Sequence, residues 1–169
     1  MEVCCWNVNG ISGNSRFNQT FLLVQHFRYK LVLQKTNILQ SGKILLDQWG
    51  MEGYSSSKSV IGSGVLIAFE KASPLQFLSY SDIVPGHLLR ADFHLNEIPL
   101  YCYNIYISRD DLALETIEKP ESDLSSLPST ALILLGGDFN CTLDPSNDRA
   151  NSQEYRRTLQ DRFAEFRKL

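Results

Sequence analysis

The sequence has no excess of basic charge: 16 Lys and Arg stand against 19 Asp and Glu, for a formal net charge of −3 and a pI of about 5.6. Such a chain has no overall positive field to hold a polyanion non-specifically, so any nucleic acid would have to be met locally. Long hydrophobic runs are also missing. Stretches such as "ALILL" at 131–135 fall far short of the roughly 20 residues that a helix needs to cross a bilayer. The opening "MEVCCWNVNG" lacks the basic and apolar regions of a secretory signal. Nuclear or cytoplasmic residence is expected rather than secretion, without a membrane partner, and nothing in the sequence points to an oligomer. Cysteine is scarce and unpatterned. Cys4 and Cys5 adjoin, Cys102 and Cys141 stand alone, and no C-x-x-C pair gives zinc spacing. These thiols are expected to be small core residues. Repeats and low-complexity segments are absent too.

What remains is an ordinary globular composition, 43% hydrophobic and 21% charged over 169 residues, which predicts one domain over 1–169. "EVCCWNV" at 2–8 is a β-prone run closed by "NGISGN". "SRFNQTFLLVQHFRYK" at 15–30 then places Phe17, Phe21, Val24 and Phe27 at helical spacing. "LVLQKT" at 31–36 is a second short strand, completing a β-α-β opening. Residues 37–61 are mixed and Ser-rich and predict a loop region. "GSGVLIAFE" at 62–70 predicts a buried strand, and "LQFLSYSDI", "LLRADFHL" and "IPLYCYNIYI" follow at the short intervals of a meander. The segment 110–129 is helical at its start and then polar, with Pro and Ser. "TALILLGGDFN" at 130–140 predicts another buried strand. A last helix over 154–169 carries Tyr155, Leu159, Phe163 and Phe166 on one face, with Asn151 and Glu154 as a capping pair. It runs to the final residue with no Gly or Pro stop, so the chain is expected to be incomplete at that end. The class is α/β or α+β, with helices outside layered sheet.

Two strand ends carry candidate chemistry. In "GGDFN" at 136–140, Asp138 and Asn140 can cap the turn through side-chain to backbone bonds. Residues two apart on an extended segment also point the same way, so both can face one reaction centre. Carboxylate and amide oxygens suit a hard cation such as Mg²⁺. "WNVNGI" at 6–11 repeats the pattern with Asn7 and Asn9, and "NIYIS" at 104–108 offers Tyr106 at a third strand end. Polar groups gathered at neighbouring strand ends are a common place for sites in sheet proteins.

Taken in order, "WNVNGI", "VLQKT" at 32–36, "GSGVLIAF" at 62–69, "NIYIS" and "LLGGDFNCTLDPSNDR" at 134–149 resemble the endonuclease/exonuclease/phosphatase superfamily. The nearest likeness is to the apurinic-like endonuclease domain of LINE-type non-LTR retrotransposons. The resemblance implies a four-layer α/β sandwich of the DNase I-like type, here missing its last strands. It implies Mg²⁺-dependent hydrolysis of DNA phosphodiesters, with Mn²⁺ as a substitute, in the service of nicking for retrotransposition. Carried over, Asn7 and Tyr106 would contact the scissile phosphate, and Asp138 would orient or deprotonate the attacking water. Asn140 would hold phosphate and nucleophile in line, with Asn9, Asp138 and Asn140 on the metal side.

Two of the chain's departures from that pattern bear directly on catalysis. Where the family carries a metal-ligand Glu between Gln and Thr, this sequence has Lys35 between Gln34 and Thr36. A charged lysine offers no lone pair. At about 4 Å and an effective dielectric near 20, each pair of unit charges is worth about 4 kcal/mol, so an attraction on the metal becomes a comparable repulsion. The family's terminal Ser-Asp-His triplet is also missing, because none of His26, His87 and His94 follows a Ser-Asp pair. Loss of a positioned acid or base costs roughly 10² to 10⁴ in rate. Activity is therefore expected to be weak or absent. The alternatives are a non-catalytic remnant of a decayed element and a phosphatase of the same superfamily.

Overall fold

A computed structural model of the chain describes residues 2–8, 10, 14–36, 38–58, 63–107 and 113–140. Asn9, the 141–149 part of the fifth motif, and the expected helix over 154–169 lie outside them. The chain opens with strand β1 (Val3–Asn7), helix α1 (Asn14–His26) and strand β2 (Leu31–Lys35), and β1 and β2 are parallel. This is the β-α-β unit expected from the hydrophobic spacing. Strands β3 (Gly42–Ile44), β4 (Met51–Ser56) and β5 (Val65–Glu70) complete a five-stranded sheet in the order β1-β2-β5-β4-β3.

The second sheet begins with the expected meander, β6 (Leu75–Val84), β7 (Leu88–Leu95) and β8 (Ile98–Tyr106), each antiparallel to the next. Helix α2 (Ala113–Leu124) then crosses over, and β9 (Leu132–Asp138) returns parallel to β8. The order is β6-β7-β8-β9.

The two sheets stack face to face. Between them lie Tyr54, Val65, Ile67, Phe69, Leu89, Ala91, Phe93, Leu100 and Cys102, with Val3, Tyr106 and Leu134 at the margin. On the outer face of the first sheet, Phe21 and Val24 of α1 pack with Trp49 from a 3-10 turn at Asp47–Trp49. On the outer face of the second, Ile117 of α2 packs with Val84, Leu88, Tyr103 and Ile105. The layers are helix, sheet, sheet, helix, as expected for the four-layer sandwich.

Four local expectations are corrected. Residues 37–61 are not a loop region, because β3, the 3-10 turn and β4 lie within them. Strand β4, "MEGYSS", is almost wholly buried yet carries few aliphatics, so it leaves no apolar period. Gly53 packs where a Cβ would stand 2.7 Å from the Leu46 Cδ1, and the Ser55 hydroxyl donates to the Gln40 carbonyl at 2.5 Å. Phe27 does not join the buried face of α1. The helix ends at His26, Arg28 turns through φ 57°, and Phe27 is 55% exposed. Helix α2 continues past the helical start expected for its segment and through Pro120, an interior position at which proline costs about 3 kcal/mol. Burial of Ile117 and the ties at Asp123 hold it. Strand β9 is only half-buried, with Leu132 and Ile133 largely exposed, because among the described residues it pairs on one side only.

Candidate functional site

The site is built from four strand ends. In the first sheet, parallel pairing of β1 with β2 sets Asn7 beside Lys35. In the second, parallel pairing of β8 with β9 sets Tyr106 beside Asp138. Strand periodicity decides where these side chains go. Val3 and Leu134 belong to the core between the sheets, and residues four further along each strand, Asn7 and Asp138, share that inward face. The two pairs therefore meet across the sandwich. The Asn7 Nδ2 donates to the Asp138 Oδ2 at 2.6 Å, and the Lys35 Nζ sits 4.0 Å from the Tyr106 ring centroid. Asn7 is exposed and the other three are partly buried, so the group opens to solvent.

The "GGD" that precedes the turn has a steric origin. Gly137 has φ 147°, and a Cβ there would fall 1.8 Å from the Ile105 carbonyl oxygen on the paired strand. Beyond Asp138 the chain turns. Asn140 adopts φ 46°, the left-handed conformation that asparagine tolerates. Its backbone N–H donates to the Asp138 Oδ1 at 3.2 Å, and its Nδ2 donates to the Ile107 carbonyl at 2.8 Å. The segment is thus not extended through Asn140, and that side chain ties the turn to the end of β8 instead of lying parallel to Asp138. Asn7, Lys35, Tyr106 and Asp138 are brought together, Asn140 borders them through its backbone, and Asn9 falls outside the described residues.

No protein-family profile and no curated protein sequence matches the chain. Solved structures do match. The endonuclease domain of TRAS1, a telomere-specific non-LTR retrotransposon, aligns with a TM-score of 0.68 at 11% identity, over 97% of this chain and 69% of that one. An AP endonuclease from Archaeoglobus fulgidus aligns at 0.66 and 17%, over 98% and 70%. The 3′ phosphatase NExo from Neisseria, bound to a product DNA hairpin, aligns at 0.67 and 14%, over 98% and 71%. The chain has the DNase I-like fold. It spans less than two thirds of some solved structures with this fold, 65% of a humanized D. rerio TDP2 for one. Within this fold the four-residue group lies at one end of the sandwich, where β1, β2, β8 and β9 all terminate.

One supporting residue was not singled out from the sequence. His87 is fully buried in the turn before β7, and its ring stacks on Tyr106 with centroids 5.5 Å apart and planes 7° from parallel. Its Nδ1 lies 3.0 Å from the Tyr106 carbonyl oxygen, while the Tyr106 N–H donates to the His87 carbonyl at 2.7 Å. His87 thereby fixes the ring that Lys35 covers. A lone histidine after "VPG" carries no sequence signal for this.

The donor set suits a divalent cation poorly. Among the described residues no three His, Cys, Asp or Glu side chains gather as ligands. At this corner the Asp138 carboxylate already accepts from Asn7 and Asn140, and an ammonium sits on the adjoining strand. Among these four residues the positive charge of Lys35 opposes the attraction that Asp138 would offer to Mg²⁺. The thiols behave as the sequence suggested only in part: Cys102 is buried and its thiol is pushed up to about 12 by that burial, while Cys5 is exposed beside the Gly137 carbonyl. Cys141 lies outside the described residues.

Proposed function

We propose that this strand-end group is a phosphodiester site for DNA, of the kind used by endonucleases and phosphatases of the endonuclease/exonuclease/phosphatase superfamily, with hydrolysis weak or absent in this chain. The observation that carries the reading is the Asn7–Asp138 bond across the two sheets. It joins the two motifs whose residues would bind phosphate and activate water. In this reading Asn7 and Tyr106 bind phosphate oxygens without adding negative charge, Asp138 orients an attacking water, and Asn140 shapes the turn that presents it. Descent from a LINE-type nicking endonuclease is the finer reading, supported by the "GGDFNCTLDPSNDR" run and by a fold shared with the TRAS1 domain. Mg²⁺ or Mn²⁺ would supply electrostatic stabilisation in that family, but the residues here do not fit it, so a non-catalytic role as a decayed remnant is the outcome favoured by Lys35.

Nicking of supercoiled plasmid tests this, with Mg²⁺, with chelator and beside an Asp138→Ala variant. No nicking above that variant is expected. Magnesium-dependent nicking that disappears in Asp138→Ala would show a working hydrolase and overturn the inert reading. The likeness to NExo favours a second possibility, 3′ phosphatase action, which release of phosphate from a 3′-phosphorylated oligonucleotide would reveal.

A further inference from the structure

We propose that the Lys35 ammonium stands in for a bound cation, holding a phosphate oxygen at the mouth between the sheets, so that this chain binds DNA without any divalent ion. The inference rests on the DNA phosphodiester reading above and adds to it the group that grips the phosphate.

Lys35 differs from the other cations whose contacts are described. Lys30, Lys43, Lys71 and Arg90 are each paired with a carboxylate, to Glu70, Glu52, Asp47, and Asp92 with Asp123 respectively. Among the described residues no carboxylate forms an ion pair with Lys35, and its Nζ is held over the Tyr106 ring instead. An ammonium on an aromatic face uses only part of its three N–H donors on the ring and leaves the rest available to an anion. The platform is firm, since Tyr106 is stacked on buried His87 and bonded to it through the backbone.

The surroundings favour an oxyanion over a metal. Asp138, the acid of the four-residue group, has each carboxylate oxygen met by an N–H, from Asn7 and from the Asn140 backbone. Among the described residues the four-residue corner holds one positive and one negative group and sums to zero, whereas a glutamate at position 35 would make it −2. Local charge thus decides between phosphate and metal, and Lys35 sets it.

Fluorescence anisotropy of a labelled duplex DNA measures this, on the full chain in EDTA and in Mg²⁺. Wild type is expected to bind equally well in both. Lys35→Gln should weaken binding in EDTA roughly tenfold, the effect of losing one charge-assisted hydrogen bond, and Lys35→Arg should keep it. Lys35→Glu should weaken it at least as much and recover in Mg²⁺. Should the glutamate variant fail to fold, the Gln and Arg pair still decides, with Lys43→Gln as a surface control. Binding in EDTA that Lys35→Gln leaves unchanged overturns the role of Lys35 while the DNA reading stands, and so does wild-type binding that requires Mg²⁺. A parallel NMR titration with inorganic phosphate separates the remaining cases. Phosphate held through Lys35 without DNA binding removes the DNA reading, and with it the DNA-binding part of the proposal, while the Lys35 phosphate contact stands; binding of neither removes both.

Discussion

At the scale of the residue, the site depends on close approach. Asp138 reaches Asn7 only because β8 and β9 come together at Gly137, where the space for a side chain is already filled by the Ile105 carbonyl. That oxygen is backbone on a paired strand and cannot swing aside. Gly137→Ala is therefore expected to cost about 3 kcal/mol or more, from overpacking and from a φ that alanine disfavours. The urea midpoint of the variant checks this, and a shift below about 1 kcal/mol would contradict the packing described. By contrast, the Asn7–Asp138 bond is exposed to solvent. Asn7→Ala is expected to change stability by no more than about 1 kcal/mol.

Among elements, polar ties do work that apolar faces do in larger helices. Helix α2 buries Ile117 but is anchored through Asp123, whose two carboxylate oxygens accept from the Arg90 Nη1 at 2.8 and 2.7 Å and one of them from the Tyr103 hydroxyl at 2.6 Å. The same guanidinium donates from Nε to Asp92 at 2.7 Å. Asp123→Ala leaves Arg90 half its partners, and a loss of about 2 kcal/mol is expected after allowing for partial exposure. Hydrogen exchange should quicken in α2 before the strands. Strands β4 and β6 are joined differently. The Ser56 hydroxyl donates to Asp82 at 2.5 Å and accepts from the Gly86 N–H at 2.6 Å. Burial pushes the Asp82 carboxyl above its ordinary value, against the pull of the Ser56 bond. The native state thus holds this proton more tightly than the unfolded chain, so the stability it contributes is full below the unfolded pKa and is lost as pH rises through the raised one. Asp82→Asn removes that dependence, and its stability relative to wild type should rise with pH across this window and then level off, as thermal melts would show.

For the whole molecule, the charge balance limits how DNA would be held in the proposed reading. A net charge of −3 gives no general attraction, and Lys30, Lys43, Lys71 and Arg90 are each paired with an acid. Binding through one principal phosphate contact predicts a slope of about −1 in log K against log salt. A steep slope would mean that several basic groups touch the backbone, those at Arg156, Arg157, Arg162, Arg167 and Lys168 being the candidates outside the described residues.

The sequence by itself determined the strands with strong apolar runs, the β-α-β opening, the meander and the strand-end motifs, because hydrophobic period and turn residues act locally. It also marked Asn7, Lys35, Tyr106 and Asp138, each at the end of a recognisable segment. Tertiary structure alone decided that β4 is a strand, because its burial depends on Gly53 fitting against Leu46 and on serines finding distant partners. It alone brought in His87, and it turned Asn140 towards Ile107. Above all, residues 131 positions apart, Asn7 and Asp138, are joined by a hydrogen bond that exists only because two parallel pairings in separate sheets end at the same level. Local pattern carries information along a strand, but which strand ends face one another is set by how the sheets stack.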